Sequence, residues 1–272
     1  MNLAERTAPD IYIGIFEAEE DSLPKERLQK AVRDYLELLD AEGKKRILQR
    51  AGTPETEKEE HSRLQELWRI ARTESGKPYF PNCPGLHFSI SHSGRYWACA
   101  VSEAEVGLDL QQYVKRRLET REEAAKRFQK MAHRFFHPVE SAYVDGDPYT
   151  RFFQVWAARE AYVKYTGQGI DKHFSKHCVI PGGKAENFPE PNGDQTTGSA
   201  ALQTVLQTVG QAGRQTVWHA MGCEFWACDW EAEYTLCVCR RLDEQIRQDV
   251  GEDMKQGGLS VYTMKYARLF HV

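Results

Sequence analysis

The sequence predicts an α+β fold in which two similar lobes meet at a cleft. Two observations support this: strand-like and helix-like segments alternate in each half of the chain, and neighbouring strands read as antiparallel. At 272 residues the chain is long enough to bury a large core. We place the first lobe at residues 1–112 and the second at residues 113–272.

The chain opens with alternating strand and helix patterns. Residues Ile11 to Phe16 predict a strand. A helix follows, with Pro24 in its first turn, apolar residues at helical spacing and Gly43 at its end. Thr53-Pro54 predicts the start of a second helix, as N-cap and first-turn proline. Gly76-Lys77-Pro78 predicts a loop.

Residues Phe88 to Gln111 predict three short strands joined by turns at Ser93-Gly94 and Ser102–Glu105. The middle strand is almost continuously apolar, which is typical of a strand buried on both faces. In the third strand the side chains alternate between an apolar face and a second face, and that second face carries Gly107, Asp109 and Gln111.

The second half starts with a basic helix, predicted from Lys115 to Phe136. Asp147-Pro148 predicts the start of a helix that runs through Lys164, with Gly167 as its stop. Composition rich in Gly, Pro, Gln and Thr predicts a mobile insertion at residues 181–215. Residues 217–240 predict a hairpin with its turn near 229–233, and a short helix and one more strand are expected in the tail.

The bulk properties exclude several functional classes. A net charge of −4 argues against a general nucleic-acid binder, and no apolar run is long enough to span a bilayer. The first residues lack the pattern of a signal peptide, and the seven scattered cysteines fit free thiols in a reducing compartment rather than a zinc site. We therefore expect a cytoplasmic protein.

Two acids and a lysine are the first candidates for chemistry. Asp109 lies on the polar face of its strand, and Glu160 precedes Lys164 by one helical turn. Each has an ordinary alternative, a solvated aspartate or a surface ion pair. Bulky apolar neighbours of Glu160 indicate instead that its helix is largely buried, so these charges need partners. A metal ion holding a phosphate ester would supply them.

A second set of residues suits the binding of an anion. Ser89, Ser91 and His92 occupy the end of a predicted strand, where hydroxyl, imidazole and backbone N–H groups can form an anion nest. Lys77 in its rigid loop and Arg72 just before it add positive charge. For these residues a plain polar turn and solvated cations remain open alternatives.

In chain order, these motifs resemble the 4′-phosphopantetheinyl transferase superfamily, most of all its two-lobe monomeric type that activates peptide- and polyketide-synthase carrier proteins. The resemblance covers residues 76 to 170. It rests on Gly76-Lys77-Pro78, Phe88-Ser89-Ile90-Ser91-His92-Ser93-Gly94, Val106-Gly107-Leu108-Asp109, Trp156-x-x-x-Glu160-Ala161-x-x-x-Lys164 and Gly167-x-Gly169.

The resemblance implies two pseudo-symmetric lobes, each a small mostly antiparallel sheet with helices, and coenzyme A bound in the cleft between them. It implies catalytic roles for Asp109, Glu160 and Lys164, and Mg²⁺ held by Asp109, Glu160 and, through its carbonyl or a water, Gln111. Many relatives carry a third acid where this chain has Gln111. The residues it implies for the coenzyme are Arg72, Gly76, Lys77, Pro78, Ser89, Ser91, His92 and Lys164.

The implied reaction transfers 4′-phosphopantetheine from coenzyme A to a serine of an apo carrier protein and releases 3′,5′-ADP. The basic run Lys115 to Arg134 is a candidate docking face for an acidic carrier, and a monomer is expected. Two alternatives stay open: a Mg²⁺-dependent phosphohydrolase of a nucleotide-type ester, and a non-catalytic coenzyme A-binding module.

Overall fold

The computed structural model describes residues 11–17, 22–48, 66–169, 177–180, 212–242 and 261–266. Over these residues the chain is a mixture of helices and mostly antiparallel sheets, which confirms the α+β class. The predicted helix from Thr53-Pro54 as far as residue 65, the predicted helix of the tail and most of the predicted insertion at 181–215 lie outside the described residues.

The first sheet has four strands in the order β10-β1-β5-β4. They are β1 (Ile11–Glu17), β4 (His87–Ser93), β5 (Tyr96–Ser102) and β10 (Val261–Tyr266), and β10 pairs with β1 in parallel while the other neighbours are antiparallel. The two-stranded ribbon of β2 (Ala71–Arg72) and β3 (Pro78–Tyr79) forms a separate sheet, and Gly76 and Lys77 form the predicted loop between its strands. The prediction that Ala71 belongs to the apolar face of the preceding helix was wrong, because Ala71 pairs with Tyr79 in this ribbon.

The second sheet is antiparallel throughout, in the order β6-β9-β8-β7. Its strands are β6 (Val106–Gln112), β7 (Ala212–Ala220), β8 (Cys223–Trp230) and β9 (Tyr234–Arg241). The three predicted strands between Phe88 and Gln111 and the predicted hairpin turn between Trp230 and Tyr234 are confirmed. Strand β7 begins at Ala212, inside the predicted insertion.

The helices are α1 (Pro24–Leu38), α2 (Ala41–Leu48), α3 (Arg121–Phe135), α4 (Pro138–Asp145) and α5 (Pro148–Thr166). Asp147 caps α5 by accepting from the Thr150 N–H, and left-handed Gly167 ends it, both as predicted.

Two helix predictions were wrong in detail, and helices α2 and α4 were not predicted. Gly43 does not end α1, because it lies inside α2, whose start Asp40 caps by accepting from the Gly43 N–H at 2.7 Å. The basic helix begins at Arg121 rather than Lys115, because Thr120 and Glu123 form a reciprocal capping box there. Helix α4 was missed, although Pro138 in its first turn is a start signal.

The two sheets pack face to face around one apolar core. Alternate residues of β1 and β5 face alternate residues of β6, β8 and β9, with Trp226 and Trp230 among the largest buried side chains. Helix α1 covers the outer face of the first sheet, and α5 covers the outer face of the second, backed by α3 and α4. The site described below lies where the edge strands β4 and β6 meet.

Two strands cross the lobe boundary predicted at residue 112. Strand β6 pairs with β9 in the second sheet, and β10 pairs with β1 in the first. The division into lobes at residues 1–112 and 113–272 stays a prediction, and any boundary has to allow for these two strands. All seven cysteines are free thiols. Within the described ranges, every helix is too short or too polar to cross a membrane.

Candidate active site

Gly107 allows helix α5 to approach strand β6 unusually closely. A Cβ atom at this position would lie 1.9 Å from the Ala161 carbonyl oxygen and 2.5 Å from the Tyr165 nitrogen, both of them backbone atoms of α5. Only a residue without a side chain fits there. The space that Gly107 leaves therefore admits the helix itself, and this contact sets Glu160 and Lys164 beside the strand that carries Asp109.

Asp109 is the buried centre of the site. Its Oδ1 accepts hydrogen bonds from Lys164 Nζ and from Ser91 Oγ, each at 2.7 Å, and its side chain is 7% exposed. Its Oδ2 is buried and accepts no hydrogen bond from any described residue. Burial raises the pKa of Asp109. The positive charge of Lys164 and the hydrogen bonds donated by Lys164 and Ser91 oppose that rise.

Glu160 is half-buried next to Asp109. Burial raises its pKa first, the negative charge of Asp109 raises it further, and Lys164 lowers it. Asp109 thus opposes the ionisation of Glu160, and the positive charge of Lys164 favours the ionised form of both acids. Groups with pKa values shifted by burial and by a specific partner are typical of functional sites.

The serines of β4 join the two sheets. Ser89 Oγ accepts from the Leu108 N–H and Ser93 Oγ accepts from the Gln112 N–H, both at 2.9 Å, while Ser91 between them donates to Asp109. All three side chains lie on one face of β4 because strand side chains alternate. In this structure Ser89 is buried and bound to the backbone of β6, so its hydroxyl fixes the strand that carries Asp109.

Two predicted site residues lie at the margin of this centre. Gln111 shares the polar face of β6 with Asp109, and its amide Nε2 donates to the Gln112 carbonyl oxygen at 3.2 Å. His92 is exposed on β4, and alternation directs it to the face opposite Ser91. The structure thus joins Ser91, Asp109 and Lys164 by hydrogen bonds and sets Glu160 within electrostatic reach of Asp109 and Lys164, and it leaves Gln111 and His92 outside these hydrogen bonds.

The Gly76-Lys77-Pro78 segment is anchored to the end of α5. Lys77 Nζ donates to the Tyr165 carbonyl oxygen at 2.6 Å and forms an ion pair with Glu105. Gly76 adopts a φ of +89° in the turn between β2 and β3, and Arg72 donates to its carbonyl oxygen at 2.8 Å. Pro78 begins β3 and pairs with Arg72.

Sequence reasoning missed a buried ion pair that supports α5. Arg159 is 1% exposed and pairs with Glu140, which is fully buried on α4. Glu140 also accepts from the Val179 N–H at 2.8 Å, and Arg159 donates to the His177 carbonyl oxygen at 3.2 Å. The pair therefore ties α4, α5 and the 177–180 segment together. The Glu at the third position of α4, after Pro138, was the available signal.

The oxygen atoms of the centre suit a magnesium ion. Among the described residues no three His, Cys, Asp or Glu side chains are grouped to hold a metal. Asp109 and Glu160 nevertheless supply two neighbouring carboxylates, and the Asp109 Oδ2 lacks a partner within the described ranges. Mg²⁺ is typically held by one or two carboxylates together with waters and substrate phosphates, so the donor set fits.

Comparison with known proteins agrees with the geometry. Residues 105–208 match the model of the 4′-phosphopantetheinyl transferase superfamily, a segment that contains Asp109, Glu160 and Lys164. The chain is 34% identical over 101 residues to a 4′-phosphopantetheinyl transferase of Bacillus subtilis, covering 36% of this chain and 40% of the relative. It is 33% identical over 106 residues to 4′-phosphopantetheinyl transferase Sfp of Bacillus subtilis strain 168, covering 38% and 42%.

A third relative, 4′-phosphopantetheinyl transferase psf-1 of Bacillus pumilus, is 36% identical over 106 residues, covering 37% of this chain and 41% of the relative. The chain thus matches about two fifths of the length of these relatives. The segment that matches the family model includes Asp109 and the whole of α5. Over residues 105–208 the chain is therefore similar to the 4′-phosphopantetheinyl transferase superfamily.

Proposed function

We propose that this protein transfers 4′-phosphopantetheine from coenzyme A to a serine of an apo carrier protein. The observation that carries the proposal is that Ser91, Asp109, Glu160 and Lys164 lie at one centre. All of these residues except Ser91 belong to the segment that matches the family model. In the reaction the serine oxygen forms a bond to the phosphorus that bears pantetheine. The bond from that phosphorus to 3′,5′-ADP breaks, and 3′,5′-ADP leaves.

Glu160 and Lys164 have different proposed roles in the reaction. Glu160 is the proposed base that takes the serine proton, directly or through a water, because its raised pKa brings it nearer to the working pH. Lys164 sits at the centre and can exchange its contact with Asp109 for one with the pyrophosphate. Phosphoryl transfer needs positioning and charge neutralisation more than covalent help from the enzyme.

We propose that Asp109 and Glu160 hold Mg²⁺, with Gln111 contributing through its carbonyl or through a water. When bound, the metal would neutralise charge that develops on the phosphate oxygens. Ser91 and Lys164 keep the Asp109 carboxylate in one orientation, which leaves its Oδ2 for the ion.

The coenzyme is proposed to lie between the β2–β3 ribbon and the centre. The resemblance assigns the phosphates to Ser91 and His92, with Lys164 at the pyrophosphate. It assigns the adenine side to Lys77 and Pro78 and the 3′-phosphate to Arg72, and it adds Ser89 and Gly76 to the coenzyme-binding residues. Exposed His92 and Arg72 have room to contact a ligand, whereas Ser89 and Lys77 are already engaged with β6 and α5.

The carrier is proposed to dock on α3. Lys126, Lys130 and Arg134 recur every four residues and are all exposed, so they form one basic stripe, while Arg127 pairs with Glu119. Phe135 beside the stripe is 47% exposed and offers apolar contact. An acidic carrier would be steered to this face, so added salt should slow transfer more steeply than it weakens coenzyme A binding. We also propose that the protein acts as a monomer in the cytoplasm.

The experiment that tests the proposed function is intact-protein mass spectrometry. An apo acyl carrier protein is incubated with this protein, coenzyme A and Mg²⁺, and again with EDTA. We expect the carrier to gain the mass of one phosphopantetheine and to lose that gain with EDTA. Glu160→Gln should abolish the gain while the fold persists, whereas Glu37→Gln, at an exposed acid on α1, should retain it.

The same reaction mixture distinguishes the other two functions. A phosphohydrolase would release free phosphopantetheine and leave the carrier unmodified, and a binding module would bind coenzyme A without turnover. Either result with several apo carriers would reject the transferase proposal. A fully active Glu160→Gln variant would reject the assigned role of Glu160.

A further inference from the structure

Four segments of the chain meet at Glu105. One of its carboxylate oxygens pairs with Lys77 and the other with His87 Nδ1 at 3.2 Å. Lys77 in turn donates to the Tyr165 carbonyl oxygen at 2.6 Å. The network therefore links the first residue of β4, the turn before β6, the β2–β3 ribbon and the last turn of α5.

The Lys77 side chain packs against the C-terminal end of α5. Its side chain is 14% exposed, and its stem lies against Gly167, where an added Cβ would come within 2.9 Å of Lys77 Cδ. The last carbonyls of a helix have no partner within the helix and carry partial negative charge, so a lysine there is doubly favourable. The carbonyl that Lys77 holds belongs to the residue directly after Lys164.

Glu105 orients that lysine. A lysine stem has four rotatable bonds, and its ammonium has three donors to distribute. The pair with Glu105 restricts it to the position in which it reaches Tyr165. His87 and Lys77 hold the pKa of the Glu105 carboxyl low, at about 2, so Glu105 is ionised at any pH at which the protein works.

We propose that Glu105 is a positioning residue for the transfer reaction: through Lys77 it fixes the last turn of α5 and thereby the placement of Lys164. This inference rests on the proposed function for its kinetic consequence. Its structural consequence does not depend on that function. Lys77 then acts as a clamp on the helix as well as a residue near the coenzyme.

The test compares Glu105→Gln with Glu103→Gln. Glu103 lies two residues earlier in the same turn and pairs with exposed Arg46, so it is a matched control. We expect kcat of Glu105→Gln to fall about three- to tenfold with the KM for coenzyme A changed less than about twofold, because Lys77 and Lys164 keep their charges beside the coenzyme while the placement of Lys164 in the transition state is lost. Glu103→Gln should match the wild type in both.

Two further measurements separate the possible failures. Hydrogen–deuterium exchange of the peptide spanning 160–169 should be faster in Glu105→Gln than in the wild type and unchanged in Glu103→Gln. This measurement does not depend on enzymatic activity. The double variant Lys77→Met, Glu105→Gln should lose no more kcat than Lys77→Met, because both changes remove the same contact between Lys77 and the end of α5. Unchanged exchange, additive losses or a change confined to the KM would overturn the inference. Failure of the wild type to modify carriers would reject the proposed function and leave the exchange result standing.

Discussion

Gly107→Ala should damage both the stability and the activity of this protein. The added Cβ would lie 1.9 Å from the Ala161 carbonyl oxygen, where ordinary contacts start at 3.4 Å. Helix α5 would therefore have to retreat from β6 by about 1.5 Å, because the opposing atoms are backbone and cannot rotate away. Overpacking of this kind typically costs about 1–3 kcal/mol.

The same movement separates Lys164 and Glu160 from Asp109. A misplacement of about 1 Å can reduce turnover about 100-fold, so we expect a loss of that order in kcat. The stability loss should lower the Tm by about 2–12 °C. Thermal unfolding and the carrier-modification assay measure the two effects independently.

Gly85→Ala provides the matched control, since a Cβ there meets no atom within 4 Å. A Gly107→Ala protein with the Tm and kcat of Gly85→Ala would refute the packing argument. A protein that is destabilised but retains full kcat would show instead that the distance between α5 and β6 does not govern the chemistry.

Three further changes test other parts of the site. Ser89→Ala leaves the buried Leu108 N–H without its acceptor and should lower the free energy of unfolding by about 1–3 kcal/mol, whereas exposed Ser75→Ala should not; equal urea midpoints would contradict this. Arg159→Met removes the ion-pair partner of the buried Glu140 carboxylate and should lower the free energy of unfolding by about 3–5 kcal/mol in the same assay; a wild-type urea midpoint would disprove this. Because burial and a neighbouring acid raise the pKa of Glu160, the folded state binds its proton more tightly than the unfolded state, and ionisation destabilises the wild type as pH rises above about 4.5. In EDTA, Glu160→Gln should therefore have the higher Tm at pH 8 and lose that advantage at pH 4, and a pH-independent difference would count against this reasoning.

The local order around the centre could be predicted from the sequence because short-range rules govern it. Alternation between serines and apolar residues, with glycine in the turn, defined β4 to β6, and Asp147 and Gly167 marked the ends of α5. The pairing of Asp109 with Lys164 was also within reach, since the bulky apolar neighbours of Glu160 predicted a buried helix whose charges need partners.

What the sequence could not predict depends on contacts between distant segments. Nothing local indicates that β6 leaves its predecessors for a second sheet, because sheet membership is decided by pairing with a strand more than a hundred residues away. Lys77 reads equally well as a solvated cation, a phosphate ligand or a helix clamp until the end of α5 is located. Helix α2 was missed because its eight residues offer too few turns for a periodic pattern.

The electrostatics of the centre separate the roles of its two acids. Asp109 is oriented by two donors on one oxygen and is more deeply buried, so under the proposed function it would be the fixed ligand of the metal. A cation bound to Glu160 would lower the pKa of that group, which weakens it as a base, whereas burial and Asp109 raise it. A cation that neutralises the negative charge of Asp109 removes one of the two causes of the raised Glu160 pKa and leaves burial as the other. Burial, which depends on how closely α5 packs against β6, is then the remaining cause that raises the pKa of Glu160 against the effect of a cation.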